Sequence, residues 1–243
     1  MKKKLFIPFF FVFGMIFSQE FEGSWKLTHK NGEPVTDKEV VRIHQDGYFA
    51  YGAKEVGTNK FLSASGGEFT IKNNTYSEVK DFHTTDPESL GTLKEFNLQW
   101  EGENSFTISD GTTTKKWERL SAESNDLTRN WVITGRDRNG EMSSITPGDR
   151  RTVKILSGDR FQWIAFNSAT GEFSGTGGGT YTAEDGKYTE NIEFFSRDDS
   201  RVGASLEFQY EVKDSKWHHK GTSSKGDPIY EIWSPYSEAY KKP

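Results

Sequence analysis

The chain repeats itself. A single shift of 112 residues joins Gly67 to Gly179, Phe69 to Tyr181, Tyr76 to Tyr188, Glu78 to Glu190, Phe82 to Phe194, Gly91 to Gly203 and Phe96 to Phe208. The same shift sets "DGYFAY" (46–51) on "GDRFQW" (158–163). The ends match with small changes of register: "GSWKLT" (23–28) answers "RNWVIT" (129–134), and "KKWERL" (115–120) answers "YEIWSP" (230–235). One register held through so many positions marks a tandem duplication of a unit of domain size. The copies are placed at 19–121 and 127–236, joined by a polar linker at 122–126 and trailed by a short tail, 237–243.

Each copy is punctuated as antiparallel β-structure. Asn31-Gly32, Asp46-Gly47, Asp110-Gly111, Asn139-Gly140 and Asp185-Gly186 are dipeptides that supply positive φ at hairpin turns. Between them lie short alternating runs. In "RTVKIL" (151–156) Val153 and Ile155 alternate with polar residues, and in "SLEFQYEV" (205–212) Leu206, Phe208, Tyr210 and Val212 share a face. About eight such runs per copy, with only a weak helical signal in "SEAYKK", predict an all-β protein of two tandem antiparallel lipocalin-like barrels of about eight strands each. Closure removes the sheet edges that would otherwise template aggregation.

The N-terminus, "MKKKLFIPFFFVFGMIFSQEF", sets three lysines before an apolar run that ends at Ser18. That order predicts a secretory signal peptide over residues 1–18, cleaved near Ser18, and hence a periplasmic or secreted protein. The run is too short to span a hydrocarbon core that needs ~20 residues, and no later segment is apolar enough, so no integral membrane segment is expected. Without the three leader lysines, 28 of the 31 Lys and Arg face 36 Asp and Glu, a formal net charge of −8. Nucleic-acid binding, which needs a basic face, is not expected. There is no cysteine, which excludes disulfides and thiol chemistry.

The segments "FNSATGEFSGTGGGTYTAEDGKYTENIEFFS" (166–196), "KWHHKGT" (216–222) and "YEIW" (230–233) resemble a bacterial lipocalin-like family of uncharacterised exported proteins, called membrane or secreted proteins. Gly23-Ser24-Trp25 is similar to the Gly-x-Trp entry of lipocalin-type barrels, whereas the second copy keeps Trp131 but has Arg129 in place of the glycine. The resemblance is strong over 129–235 and weaker over 23–120. It implies a small β-barrel and brings no catalytic mechanism.

The run "GTGGG" (175–179) invites a phosphate-loop reading. A dinucleotide fingerprint would need glycine where Thr180 stands and a helix directly after it; the residues after Thr180 instead show strand-like alternation and a hairpin turn. The glycines are therefore read as devices for bending a strand or letting backbones approach closely.

The carboxylates carry the candidate site. Alternation puts Tyr188, Glu190, Ile192 and Phe194 on one face, and Tyr76, Glu78, Lys80 and Phe82 on its counterpart. If that face points inward, Glu190 must be paired. In "KWHHKG" Trp217 and His219 share a face, while the first copy has Phe106 and Ile108 there. Glu231 shares a face with Trp233. The candidate pocket is Glu190, His219 and Glu231 among Tyr188, Tyr210, Trp217 and Trp233, with Glu78, Tyr76 and Trp117 as the weaker equivalents. The alternative is that these groups satisfy one another or face solvent.

No zinc spacing, calcium loop or nucleophile elbow is present, so no metal, cofactor or catalytic set is expected. The function expected is binding of a small, partly apolar molecule. The alternatives are an envelope protein-interaction module with filled barrels, and a barrel enzyme using Glu190 and His219 as an acid/base pair.

Overall fold

The computed structural model describes residues 20–138, 140–223 and 226–242. The expected leader at 1–18 and the Asn139 half of one predicted turn lie outside them.

The first copy is built from β1 (Gly23–Lys30), β2 (Glu33–Pro34), β3 (Lys38–Gln45), β4 (Tyr48–Glu55), β5 (Phe61–Lys72), β6 (Thr75–His83), β7 (Leu93–Trp100), β8 (Ser105–Ser109) and β9 (Thr114–Ser121). The second is built from β10 (Arg129–Arg138), β11 (Glu141–Ser144), β12 (Arg150–Ser157), β13 (Arg160–Asn167), β14 (Phe173–Glu184), β15 (Lys187–Phe195), β16 (Ser205–Lys213), β17 (Lys216–Thr222) and β18 (Pro228–Pro235). One helical turn, α1 (Tyr236–Ala239), comes last. In each copy neighbouring strands pair antiparallel around a circle, closed by β9 on β1 and by β18 on β10. The short β2 and β11 fold back on the ends of β1 and β10. The molecule is two closed eight-stranded antiparallel β-barrels in tandem.

Local chemistry explains the hairpins. Asn31-Gly32, Asp46-Gly47 and Asp185-Gly186 each hold two successive positive φ values, as the sequence predicts. Two equivalent turns escape a glycine search: Asn73-Asn74 and Asp214-Ser215 adopt the same conformation with no glycine. Short polar side chains tolerate the left-handed region well enough to serve.

One end of each barrel is plugged alike. Trp25 Nε1 donates to the Phe21 carbonyl at 3.0 Å, and Trp131 Nε1 to the Leu127 carbonyl at 2.9 Å. Both indoles are fully buried. In the first barrel the Arg119 guanidinium lies 4.0 Å from the Trp25 ring. Arg129, the residue that breaks the Gly-x-Trp pattern, lies 5.5 Å from the Trp131 ring and supplies the same kind of cover from β10.

The glycine run lies within β14. A Cβ on Gly179 would sit 1.9 Å from the Asn191 carbonyl oxygen, and one on Gly67 2.0 Å from that of Val79. Each marks a β-bulge, between Gly178 and Gly179 and between Gly66 and Gly67. The bulges correct the expected faces. Glu193 and Asp81 are the extra residues, so alternation slips by one beyond them. Tyr188, Glu190 and Ile192 point into the barrel, but Phe194 turns out and Phe195 takes the inward place. In the first barrel Phe82 turns out likewise.

The outward phenylalanines are buried because the barrels pack against each other. Ile43, Tyr48, Ala50, Ala64 and Phe82 share one apolar cluster with Val132, Val153, Ile155, Ile164, Phe166, Tyr236 and Tyr240. The alternation of Val153 and Ile155 therefore marks the contact with the other barrel, and Thr152 and Lys154 face the lumen. Phe61 stacks on Phe194 with centroids 6.3 Å apart, and Phe173 on Phe82 at 6.5 Å. These are the same pair of positions with the copies exchanged. Gln45 and Ser157, 112 residues apart, meet each other at 2.6 Å. At this contact Arg151 is ion-paired to Asp81 at 2.7 Å, and both side chains are almost wholly buried. Tyr236 and Tyr240, at the start of and beyond α1, close over this cluster.

Candidate functional site

The second barrel opens into a cavity of about 580 Å³ at the end away from the Trp131 plug. Its walls are Trp163, Ala165, Ile192, Phe195, Leu206, Phe208, Ile229 and Trp233. Lys154, Glu190, His219 and Glu231 also line it and are all buried, so they form its floor. Arg136, Asp137, Arg150, Arg201 and Asp227 lie more exposed around its rim.

The floor is built by strand register. Lys154 on β12 reaches across the lumen to Glu190 on β15, with Nζ 2.8 Å from Oε1. The Tyr188 hydroxyl donates to the same oxygen at 2.9 Å. The ammonium also sits 5.1 to 5.5 Å from the ring centroids of Tyr188, Trp217 and Trp233. A charge this deeply buried is tolerable only with such partners. Burial and the adjacent Glu190 push the Tyr188 hydroxyl well above its ordinary value, so it stays a donor.

A second cluster adjoins the first. His219 on β17 stands opposite Glu231 on β18, with Nδ1 3.4 Å from Oε2. Trp233 Nε1 donates to the same oxygen at 3.2 Å, and Arg136 holds Oε1 at 2.6 Å. Burial, reinforced by the Lys154 charge, lowers His219, so the ring is neutral at ordinary pH and its Nδ1–H donates a hydrogen bond to Glu231. Burial alone would raise Glu231, but the His219 hydrogen bond and the charges of Lys154 and Arg136 hold it low, as a carboxylate. His219 Nε2 is buried without a hydrogen-bond partner among the described residues, and the ring packs against Phe208, Trp217 and Tyr188.

The structure thus brings Glu190, His219, Glu231 and Trp233 to one cavity. Tyr188 and Trp217 lie fully buried beneath it. Tyr210 stands apart, lining a surface groove with His218 and Lys220. Glu190 takes Lys154 as its ion partner, not the histidine the sequence suggests. Sequence reasoning misses Lys154, Arg136, Trp163 and Phe195. The clue to Lys154 is its place in "RTVKIL", where it alternates with residues that face the other barrel.

The first barrel keeps one half of this arrangement. Arg42, the equivalent of Lys154, pairs with Glu78 at 2.7 Å and bonds the Tyr76 hydroxyl. Its guanidinium lies over Phe49, Tyr76 and Trp117. The His219–Glu231 pair is replaced by Ile108 opposite Lys115. Among the described residues no group of three or more His, Asp or Glu is placed to hold a metal ion, and no helix is long and apolar enough to cross a membrane.

Comparison of the chain with protein-family models gives no match, and comparison with curated proteins gives none either.

Proposed function

We propose that the protein is an exported binding protein of lipocalin-like type whose second barrel holds a small, partly apolar molecule. The observation that carries this reading is the cavity itself: about 580 Å³, with aromatic and aliphatic walls and a floor of prearranged charges. Sites of this size, apolar with a few fixed polar groups, suit desolvation of a small ligand and orientation of its polar end. Four cations (Arg136, Arg150, Lys154, Arg201) face four carboxylates (Asp137, Glu190, Asp227, Glu231) around the cavity, which favours a ligand without large net charge. The floor supports binding over acid/base catalysis. Glu190 is committed to Lys154 and Tyr188, and His219 is committed through Nδ1 to Glu231 and packed among aromatic rings. The filled-barrel alternative suits the plugged end of the first barrel, with its dense aromatic core, better than the second barrel. Export rests on the leader at residues 1–18.

Native mass spectrometry of the protein purified from its own host tests the reading. A small molecule lost on denaturation is expected for wild type and absent from Ala165→Trp, which fills the cavity from its wall. A bare mass for wild type, or equal retention by the variant, overturns it.

A further inference from the structure

Two apolar wall positions and one carboxylate of the second lumen are all lysine in the first. On β6 Lys80 stands where β15 has Ile192, and on β7 Lys94 stands where β16 has Leu206. On β9 Lys115 stands where β18 has Glu231. The pairings bear out the correspondence. Lys80 opposes Gly67 as Ile192 opposes Gly179, and Lys94 opposes Glu78 as Leu206 opposes Glu190. With Arg42, four cations gather at one end of the first lumen.

Among the described residues these four cations reach only two carboxylates. Glu78 serves Arg42 and, at 3.9 Å, Lys80; Asp110 serves Lys94 at 3.0 Å. Asp86 acts on Lys80 only at a distance. Lys115 is partly buried, and its amine makes no hydrogen bond or ion pair among the described residues. Burial, with the like charges of Arg42, Lys94 and Lys80 around it and only Glu78 opposing, lowers its amine to about 8. Three lysines set on three strands of one barrel end repel one another, and a bound anion turns that repulsion into attraction.

We infer that the lysine-lined end of the first barrel is an anion site, in which Lys80, Lys94 and Lys115 take the carboxylate or phosphate group of a small molecule. This site is separate from the cavity of the second barrel, and neither reading depends on the other. A carboxylate and a phosphate share the recognising chemistry: several acceptor oxygens set among ammonium donors.

The test is a titration of the isotope-labelled mature protein with inorganic phosphate and, separately, with acetate at constant ionic strength, monitored by amide chemical shifts. Saturating shifts confined to β6, β7 and β9 are expected with at least one probe, and the tighter probe names the head group. Lys115→Met and Lys80→Met should each weaken that probe at least tenfold. Because Lys115→Met removes a repelled charge, it should also melt higher than wild type in chloride. Non-saturating shifts spread over the surface, or equal affinity in wild type and both variants, would overturn the proposal. Unaltered binding in Ala165→Trp separates this site from the one in the second barrel.

Discussion

The two barrels share a plug, a bulge and a buried cation–carboxylate pair, and they differ in what surrounds that pair. In the second, Lys154–Glu190 is walled by Ile192 and Leu206 beside the neutral His219 and its carboxylate partner. In the first, Arg42–Glu78 is walled by Lys80, Lys94 and Lys115. The contrast separates two jobs for polar groups inside a barrel. The pair common to both is a cross-strand brace, held by tyrosine and caged in aromatic rings. The divergent ring is where the two lumens differ in charge, and under the proposals above it would set what each one takes. Common residues brace the fold, and the differing ones set the charge of each lumen.

The largest effects should come from the shared brace. Lys154→Met and Arg42→Met each strand a buried carboxylate, and each should cost about 3–5 kcal/mol in urea unfolding. The doubles Lys154→Met/Glu190→Gln and Arg42→Met/Glu78→Gln should recover much of that loss. A small cost in one barrel only would break the equivalence. Next come the bulges. Gly67→Ala and Gly179→Ala each press a methyl into a neighbouring strand's carbonyl, so each should cost about 1–3 kcal/mol by the same assay. Unequal losses would show that one barrel relaxes where the other cannot.

The smallest effect is a pH signature of the lysine ring. Lys115 binds its proton less readily in the folded state, at about 8, than in the unfolded chain. Its penalty is therefore full below pH 8 and fades as pH rises towards the ordinary lysine value. The stability advantage of Lys115→Met over wild type should shrink by about 1 kcal/mol or more across that window. A difference independent of pH would mean that Lys115 is solvated as freely as an ordinary surface lysine.

The repeat and the turn dipeptides make the architecture legible. A closed sheet of short hairpins leaves its signature in local turn chemistry, and duplication prints it twice. Faces are harder to read. Val153 and Ile155 look like a lumen face, but the barrel packs apolar residues outside as well as in, so alternation cannot say which side is which. Phe194 reads as inward from alternation because a bulge is silent in the sequence until its glycines are seen against the opposing carbonyl. Lys154 escapes notice because a lysine in a strand reads as solvent-facing. Only the lumen geometry, with three rings and a carboxylate around it, shows why it is buried.

The exchanged contacts Phe61–Phe194 and Phe82–Phe173, with Gln45 meeting its own counterpart Ser157, have the pattern of a self-complementary dimer interface written into a single chain. In a true homodimer every substitution appears in both subunits at once, so one lumen cannot gain charge without the other. Covalent fusion lifts that constraint while keeping the interface. Each half can therefore differ at the lumen, and here one carries Lys80, Lys94 and Lys115 where its twin has Ile192, Leu206 and Glu231, behind an interface that still pairs like with like.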